Sequence, residues 1–336
     1  MIKMREIAEL TGYSLSTVSR VLNNKGDFSE ETKQKIHQVV DSLNYKPRAI
    51  ENMISNTSYT IGLFIPEKDA FISNDPALSS DLPNLKEEIE KLGNVILLAT
   101  NTQRTGHESI SSKIIEERKI DAAIVVGPYV DDKIVQLIIH SKIPYIVTNG
   151  RDYAETWNFI DYDNYGAANA VIEYLYTLGH RNIGIISGPP NHLVNRNRMD
   201  ACKNSFEKYG LELSEDRVYS GPFSHENGYT AAKALLTKNK GITAIFAFDD
   251  VIALGAIKAI NGLGLKVPDD ISVVGFDDIE MSQYSIPSLT TVKRFKYDIY
   301  QLVARLIIDM IENKYIKNIN ITLNTELIIR DSCKKL

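Results

Sequence analysis

The sequence predicts an N-terminal all-α headpiece joined to a bilobed α/β core of two parallel sheets, and three observations carry that expectation. Two short amphipathic segments meet at Gly12, and a third comes after them with Ile36, Val39, Val40 and Leu43 on one face. From Ile61 onward, apolar runs of strand length alternate with segments of helical periodicity, the pattern of parallel sheets covered by helices. These runs are too many for one sheet, and 336 residues suit a small module plus larger ones.

The headpiece begins with a turn at Gly12, a residue that takes the positive φ a tight helix-to-helix connection demands. Ser14 stands where a helix N-cap belongs. In the helix it opens, Val18, Val21 and Leu22 fall at i, i+3 and i+4 and face inward, leaving Ser16, Ser19, Arg20 and Asn23 on the outer stripe. No Asp or Glu occurs from Leu10 through Gly26, so a phosphate backbone would meet no like charge there. On spacing alone, a surface helix pair with solvated hydroxyls fits equally well. Ser29-Glu-Glu-Thr32 reads as the cap of the third helix, with acids in its first turn. Its apolar face is expected against Ile7, Leu10, Val18 and Leu22. A core this small is marginal, making the headpiece the less stable part of the chain.

Tyr45-Lys-Pro47 ends the third helix, and Arg48 to Thr60 forms a linker into the strand Ile61 to Ile65. Further strands are expected at Val95 to Ala99, Ala122 to Val126, Tyr145 to Thr148, Asn182 to Ser187, Ala244 to Phe248 and Ile271 to Gly275. Helices are expected at Leu85 to Leu92, Tyr165 to Leu178, Met199 to Tyr209 and Val251 to Leu263. Two strands end alike, in Phe248-Asp249-Asp250 and Phe276-Asp277-Asp278. Ligands of open α/β sheets bind beyond the carboxyl ends of strands, so both acid pairs point at a crevice. The first acid of each is placed to accept hydrogen bonds from ligand hydroxyls, and Asp250 and Asp278 are expected to cap the segments after them.

The stretch Arg5 to Asn24 resembles the helix-turn-helix of the lactose/galactose repressor (LacI/GalR) family, whose signature reads close to "IA..aGvS..TVSRvLN". Ile7-Ala8, Gly12, Ser14 and Thr17-Val-Ser-Arg-Val-Leu-Asn23 all match. The resemblance continues through Leu178-Gly-His-Arg-Asn-Ile-Gly184, Ile271-Ser-Val-Val-Gly-Phe-Asp-Asp278 and Pro287-Ser-Leu-Thr-Thr-Val292. It implies a sequence-specific DNA-binding transcriptional repressor whose core is like the periplasmic sugar-binding proteins. The implied divisions are a headpiece over 1–46, a hinge over 47–60, a first lobe over 61–158 with 289–319, and a second over 159–288 with 320–330. It places Leu15, Ser16, Thr17, Ser19, Arg20 and Asn23 on operator DNA, with Leu15, Ser16 and Arg20 at base edges in the major groove. Arg20 has the fork that matches guanine O6 and N7. In the hinge, Ile54 occupies the place of a leucine that wedges into the minor groove. Tyr45, Pro47 and Ile61-Gly62 are kept, but Glu51-Asn52 replaces the usual Ala-Arg and the hinge is one residue shorter. A carboxylate facing a minor groove opposes such a wedge.

For the core, the resemblance gives Arg198 as the effector-binding arginine and Phe223 as its stacking aromatic. Asp249 and Asp277 join them as hydroxyl acceptors, and Asn149 reaches in from the other lobe. Read by residue type alone, Arg198 is a surface arginine at a helix start and Phe223 a core residue at a strand edge. The implied effector is a sugar or sugar phosphate; purine-responsive and phosphocarrier-responsive members of the family are the alternatives. A homodimer is implied, since two-fold operators need two headpieces, and the absence of C-terminal heptads argues against tetramers.

Net charge is −5, yet residues 1–60 hold eight Lys/Arg against seven Asp/Glu, leaving thirty against thirty-six for the rest. The acidity belongs to the core, and DNA contact depends on the local field of one face. Cys202 and Cys333 lack metal-ligand spacing and are expected as free thiols. No metal and no cofactor is expected. With no apolar leader and no run of spanning length, the expected location is cytoplasmic, away from membranes. A glycosidase using Asp249 and Asp277 as acid and base, or a plain sugar carrier, are the competing classes. The sequence lacks HExxH, GxSxG and a Gly-rich phosphate loop, and its six histidines form no cluster.

Overall fold

The computed structural model describes residues 8, 10–14, 17, 18, 21, 28–42, 58–65, 76–100, 110–130, 132–152, 157–294, 296–313, 316 and 318–336. The chain divides into two units, Met1–Ser58 and Tyr59–Leu336.

In the first unit Gly12 has φ of 74°. The Oγ of Ser14 accepts the Thr17 N–H at 3.1 Å, the N-cap bond expected of it. Helix α1 (Glu30–Ser42) starts the same way, with Ser29 Oγ accepting the Thr32 N–H at 3.3 Å. Ala8, Val18, Val21, Ile36 and Val40 form the buried core, with Tyr13, Phe28 and Val39 packed on it. Leu10 departs from expectation: it is 62% exposed. The first helix turns Ala8 and Thr11 inward at i and i+3, which leaves Leu10 off the packed face. Thr11 is tolerated inside because its hydroxyl donates to the Ala8 carbonyl. Ile7, Leu22, Leu43, hinge residues 47–57, and the expected DNA contacts Leu15, Ser16, Ser19, Arg20, Asn23 and Ile54 lie outside the described residues, while Thr60, the last of the expected hinge, already belongs to β1.

The second unit holds strands β1 (Thr60–Ile65), β2 (Val95–Thr100), β3 (Ala122–Val126), β4 (Tyr145–Thr148), β5 (Phe159–Tyr162), β6 (Ile183–Ser187), β7 (Val218–Ser220), β8 (Ala244–Ala247), β9 (Ser272–Val274), β10 (Thr291–Arg294), β11 (Asn320–Leu323) and β12 (Thr325–Ile328). Its helices are α2 (Pro76–Lys91), α3 (Ile110–Glu116), α4 (Lys133–Ser141), α5 (Asn164–Thr177), α6 (Leu193–Lys208), α7 (His225–Lys238), α8 (Asp250–Gly262), α9 (Glu280–Tyr284) and α10 (Lys296–Glu312).

Two all-parallel sheets result, one in the order β11-β5-β4-β3-β1-β2 and one in the order β7-β6-β8-β9. The central strands β1 and β3 of the first sheet are buried on both faces. Leu63 and Ile124 meet α2 and α10, while Phe64, Ala123 and Val125 meet α3 and α4. The second sheet is packed by α5 with α6 and by α7 with α8 around Phe246, Phe248 and Phe276. In each sheet the order reverses beside its first strand, at β1/β3 and at β6/β8, which are the switch points where such sheets form a crevice.

The lobes interleave more than the expected divisions allowed. Phe159–Tyr162 and Asn320–Leu323, assigned by sequence to the second lobe, are strands of the first sheet. Leu289 and Val292, assigned to the first lobe, sit in the second core. The tail beyond 330 is also integral: Ser332 accepts the Val273 N–H, and Leu336 donates to Leu178. The chain therefore passes between lobes at Asp163, along β10, and between β11 and β12, with β10 and β12 paired antiparallel.

Candidate functional site

The carboxyl ends of both sheets deliver polar groups into one region. From the first lobe come Asn149, just past β4 with φ of 53°, and Asp161 and Tyr162 on β5. From the second come Asp249 after β8, Asp277 after β9 and Arg198 on the first turns of α6. Asp277 holds φ of 115°, a conformation that costs an aspartate backbone energy and marks a position fixed by its surroundings. Its N–H donates to the Val292 carbonyl, which lays the end of β9 alongside β10 and brings Asp277 to Arg294.

Arg198 is 4% exposed and is an anchor as well as a site residue. Its Nε and Nη2 both donate to Asn164 Oδ1, at 3.0 and 2.9 Å, and its Nη1 donates to the Phe248 carbonyl. The guanidinium lies 3.5 Å over the Phe276 ring. Burial, with Arg294 nearby, pulls its pKa down to about 10 against the pull of Asp277, so it stays charged at neutral pH. Arg198 and Asp277, expected to be bridged by ligand, are 3.7 Å apart and pair directly.

Arg294, at the end of β10, escaped the sequence reading. It is buried and joins the lobes: its Nε is 2.9 Å from Asp277 Oδ1, its Nη1 is 3.8 Å from Asp81 Oδ2, and Nη1 donates to Asn149 Oδ1 at 3.4 Å. The Nε–H is not directed at Asp277, so that contact is an ion pair without an aligned hydrogen bond. Burial lowers its pKa, but Asp277 and Asp81 outweigh this and hold it well above the ordinary value. Tyr162 lies under the guanidinium, its centroid 5.4 Å away.

Asp161 accepts the N–H groups of Gly150 and Tyr162 at 3.1 and 2.8 Å. Burial lifts its pKa to about 6, opposed by those bonds and by Arg198 and Arg294. Phe223 lies against Gly188 so closely that a Cβ there would fall 2.2 Å from its ring. Its edge meets His192 at 5.4 Å, and His192 meets Tyr129 of the first lobe at 5.1 Å. Burial, then Arg198, holds His192 neutral, down to about 3. The lobes are also tied by Arg196 to Asp152 at 2.7 Å and by Asn197 Nδ2 donating to the Arg151 carbonyl.

The acid pairs divide their labour differently from expectation. Asp249, not Asp250, caps α8, accepting the Ile252 N–H at 2.6 Å. Asp250 is fully buried and accepts from Ile279 N–H at 2.9 Å and Thr291 Oγ1 at 2.5 Å. Burial, then Asp277, raises its pKa well above the ordinary carboxylate value. Asp278 pairs with Arg330 at 2.6 Å and takes the Ser282 hydroxyl. Of the expected effector residues, Asn149, Arg198 and Asp277 belong to one connected network through Arg294 and Asn164. Asp249 borders it as a cap, and Phe223 reaches it through His192. Asn164, Asp81, Asp161, His192 and Arg294 were missed; nothing local in the sequence marks Arg294, whose burial beside Val292 appears only in the folded strand β10.

Residues 3–48 match the family described as bacterial regulatory proteins, lacI family, and residues 172–333 match the periplasmic binding protein-like domain. The chain is 29% identical over 343 residues to the HTH-type transcriptional repressor PurR of Haemophilus influenzae, covering 100% of both. Among solved structures, the transcriptional regulator CelR in complex with cellobiose aligns at a TM-score of 0.75 and 25% identity, over 99% of this chain and 100% of that one. The lac repressor dimer bound to operator and the anti-inducer ONPF aligns at 0.78 and 23% identity, over 99% of each, a likeness of fold.

Proposed function

We propose that this chain, whose residues 3–48 match the lacI family of bacterial regulatory proteins and whose residues 172–333 match a periplasmic binding protein-like domain, is a sequence-specific DNA-binding transcriptional repressor whose operator affinity is set by a small carbohydrate in the inter-lobe cleft. One observation carries this: a lacI-family headpiece is joined to a core in which Asn149, Arg198, Asp277 and Arg294 converge from both lobes. The similar structure of the transcriptional regulator CelR in complex with cellobiose supports the effector class. A ligand in the cleft contacts residues of both lobes at once, so it biases lobe closure and through it the hinge. By linkage, DNA must bias effector affinity equally.

The protein acts as a homodimer, because one headpiece reads one half-site. Exposed apolar side chains at Met281, Tyr284 and Ile286, the last 90% exposed, support a surface for a second copy. A cytoplasmic location follows from the proposed contact with operator DNA; among the described residues no helix is long and apolar enough to cross a membrane. A glycosidase reading fares worse, since Asp249 caps a helix and Asp277 is paired with two arginines.

The test is operator selection from a random duplex pool with full-length protein, then fluorescence anisotropy with and without sugars. Arg20→Ala should relax specificity at one base pair per half-site, a loss of about 1–3 kcal/mol of discrimination. Binding that shows no sequence preference, or that no small molecule alters, would remove the reading.

A further inference from the structure

A phosphate-bearing ligand needs cations or N–H donors that are not already neutralised. Among the described residues, the network of the cleft joins the carboxylates Asp81 on α2, Asp161 on β5, and Asp249 and Asp277 beyond β8 and β9 with the guanidiniums Arg198 on α6 and Arg294 on β10. Both guanidiniums are committed within the protein. Arg294 is set between Asp277 and Asp81, one from each lobe, with Asn149 accepting from it. Arg198 turns one edge to Asn164 and the Phe248 carbonyl and faces Asp277. A phosphate entering here would have to displace a buried carboxylate from its counter-ion, or lie beside it with like charge.

Resting on the repressor reading above, we propose that this cleft takes an uncharged polyhydroxylated ligand and rejects the phosphorylated form of the same sugar, with Arg294 and its two carboxylates setting that specificity. Hydroxyls suit the site because each can donate to a carboxylate and accept from a guanidinium N–H. An uncharged ring therefore inserts without undoing the ion pairs that join the lobes. The same pairs make Arg294 a built-in cation that satisfies Asp277 and Asp81 before any ligand arrives.

The experiment is isothermal calorimetry on the full-length protein with matched pairs: glucose and glucose 6-phosphate, ribose and ribose 5-phosphate, cellobiose and its 6-phosphate. The expected result is that a neutral member binds, that its phosphate binds at least about tenfold more weakly, and that the gap narrows as salt is raised. Asp81→Asn, nearly isosteric, removes one counter-charge from Arg294 and should shrink the neutral-to-phosphate ratio several-fold. A phosphate form binding as well as its parent, an unchanged ratio in Asp81→Asn, or a panel with no neutral binder would each overturn the proposal. Operator anisotropy on the same samples separates the two readings. A neutral sugar that binds but leaves DNA affinity untouched defeats the regulatory reading alone. A phosphosugar that binds the parent protein at least as tightly as its neutral counterpart, and that shifts operator affinity, defeats the charge proposal alone.

Discussion

Replacing Arg198 by alanine should unfold as much as it disables. The side chain makes three hydrogen bonds, two to Asn164 Oδ1 and one to the Phe248 carbonyl, and it pairs with Asp277 at 3.7 Å. Bonds from an ionised donor are worth about 1.5–3 kcal/mol each, but they share one guanidinium and do not add. A better guide is the cost of truncating one partner of a buried ionic network, about 3–5 kcal/mol, because the groups left behind stay desolvated. Asn164 and Phe248 are both buried, so their orphaned oxygens have little access to water. Against a typical total stability of about 5–15 kcal/mol, that loss is large. The measurement is urea unfolding of full-length Arg198→Ala by circular dichroism, beside Arg198→Lys, which keeps the charge and loses the fork. The alanine variant should lose about 3–5 kcal/mol and the lysine variant an intermediate amount. A loss below about 1 kcal/mol for alanine would refute the anchoring role, and any effector defect could then be assigned to binding alone.

Asp249→Ala should cost about 0.5–2 kcal/mol as a lost N-cap, while Asp249→Asn, which keeps the acceptor for Ile252, should unfold near the parental urea midpoint; equal losses would deny the cap. For His192, burial holds the folded imidazole at about 3 against an ordinary 6.5, so between those values the unfolded chain takes the proton and stability falls with pH. The slope approaches about 1.4 kcal/mol per pH unit, offset below about 6 by Asp161, which the folded state protonates first. His192→Gln should flatten the loss between pH 6.5 and 4 in urea titrations, and an unaltered slope would exonerate the histidine. Gly228→Ala sets a Cβ 2.0 Å from the Ile252 carbonyl oxygen, so α7 and α8 must part and thermal stability should drop by about 1–3 kcal/mol; an unchanged Tm would contradict so close a crossing.

How much of the fold is legible in the chain depends on how local each signal is. Caps, turns and doubly buried strands are written within a few residues, and Ser14, Ser29, Gly12 and Ala122–Val126 fold as their neighbours dictate. Strands β11 and β12 are half exposed and only four residues each, so neither apolar run nor clean alternation announces them. They exist because the crossing chain finds β5 and β10 as partners. The exchange of roles between Asp249 and Asp250 has a similar origin. The cap position depends on where the helix starts, and boundaries shift by a residue or two without changing the pattern. Arg294 is the furthest case. A charged residue at the end of a strand ordinarily reads as an outward position, yet on β10 it shares the buried face with Val292. It can stay there because Asp277 and Asp81 arrive from two different lobes to neutralise it. Those partners lie far from it in sequence, so no window around residue 294 contains them. Arg294, one of the residues that tie the lobes together, is therefore one whose environment only the assembled fold could supply.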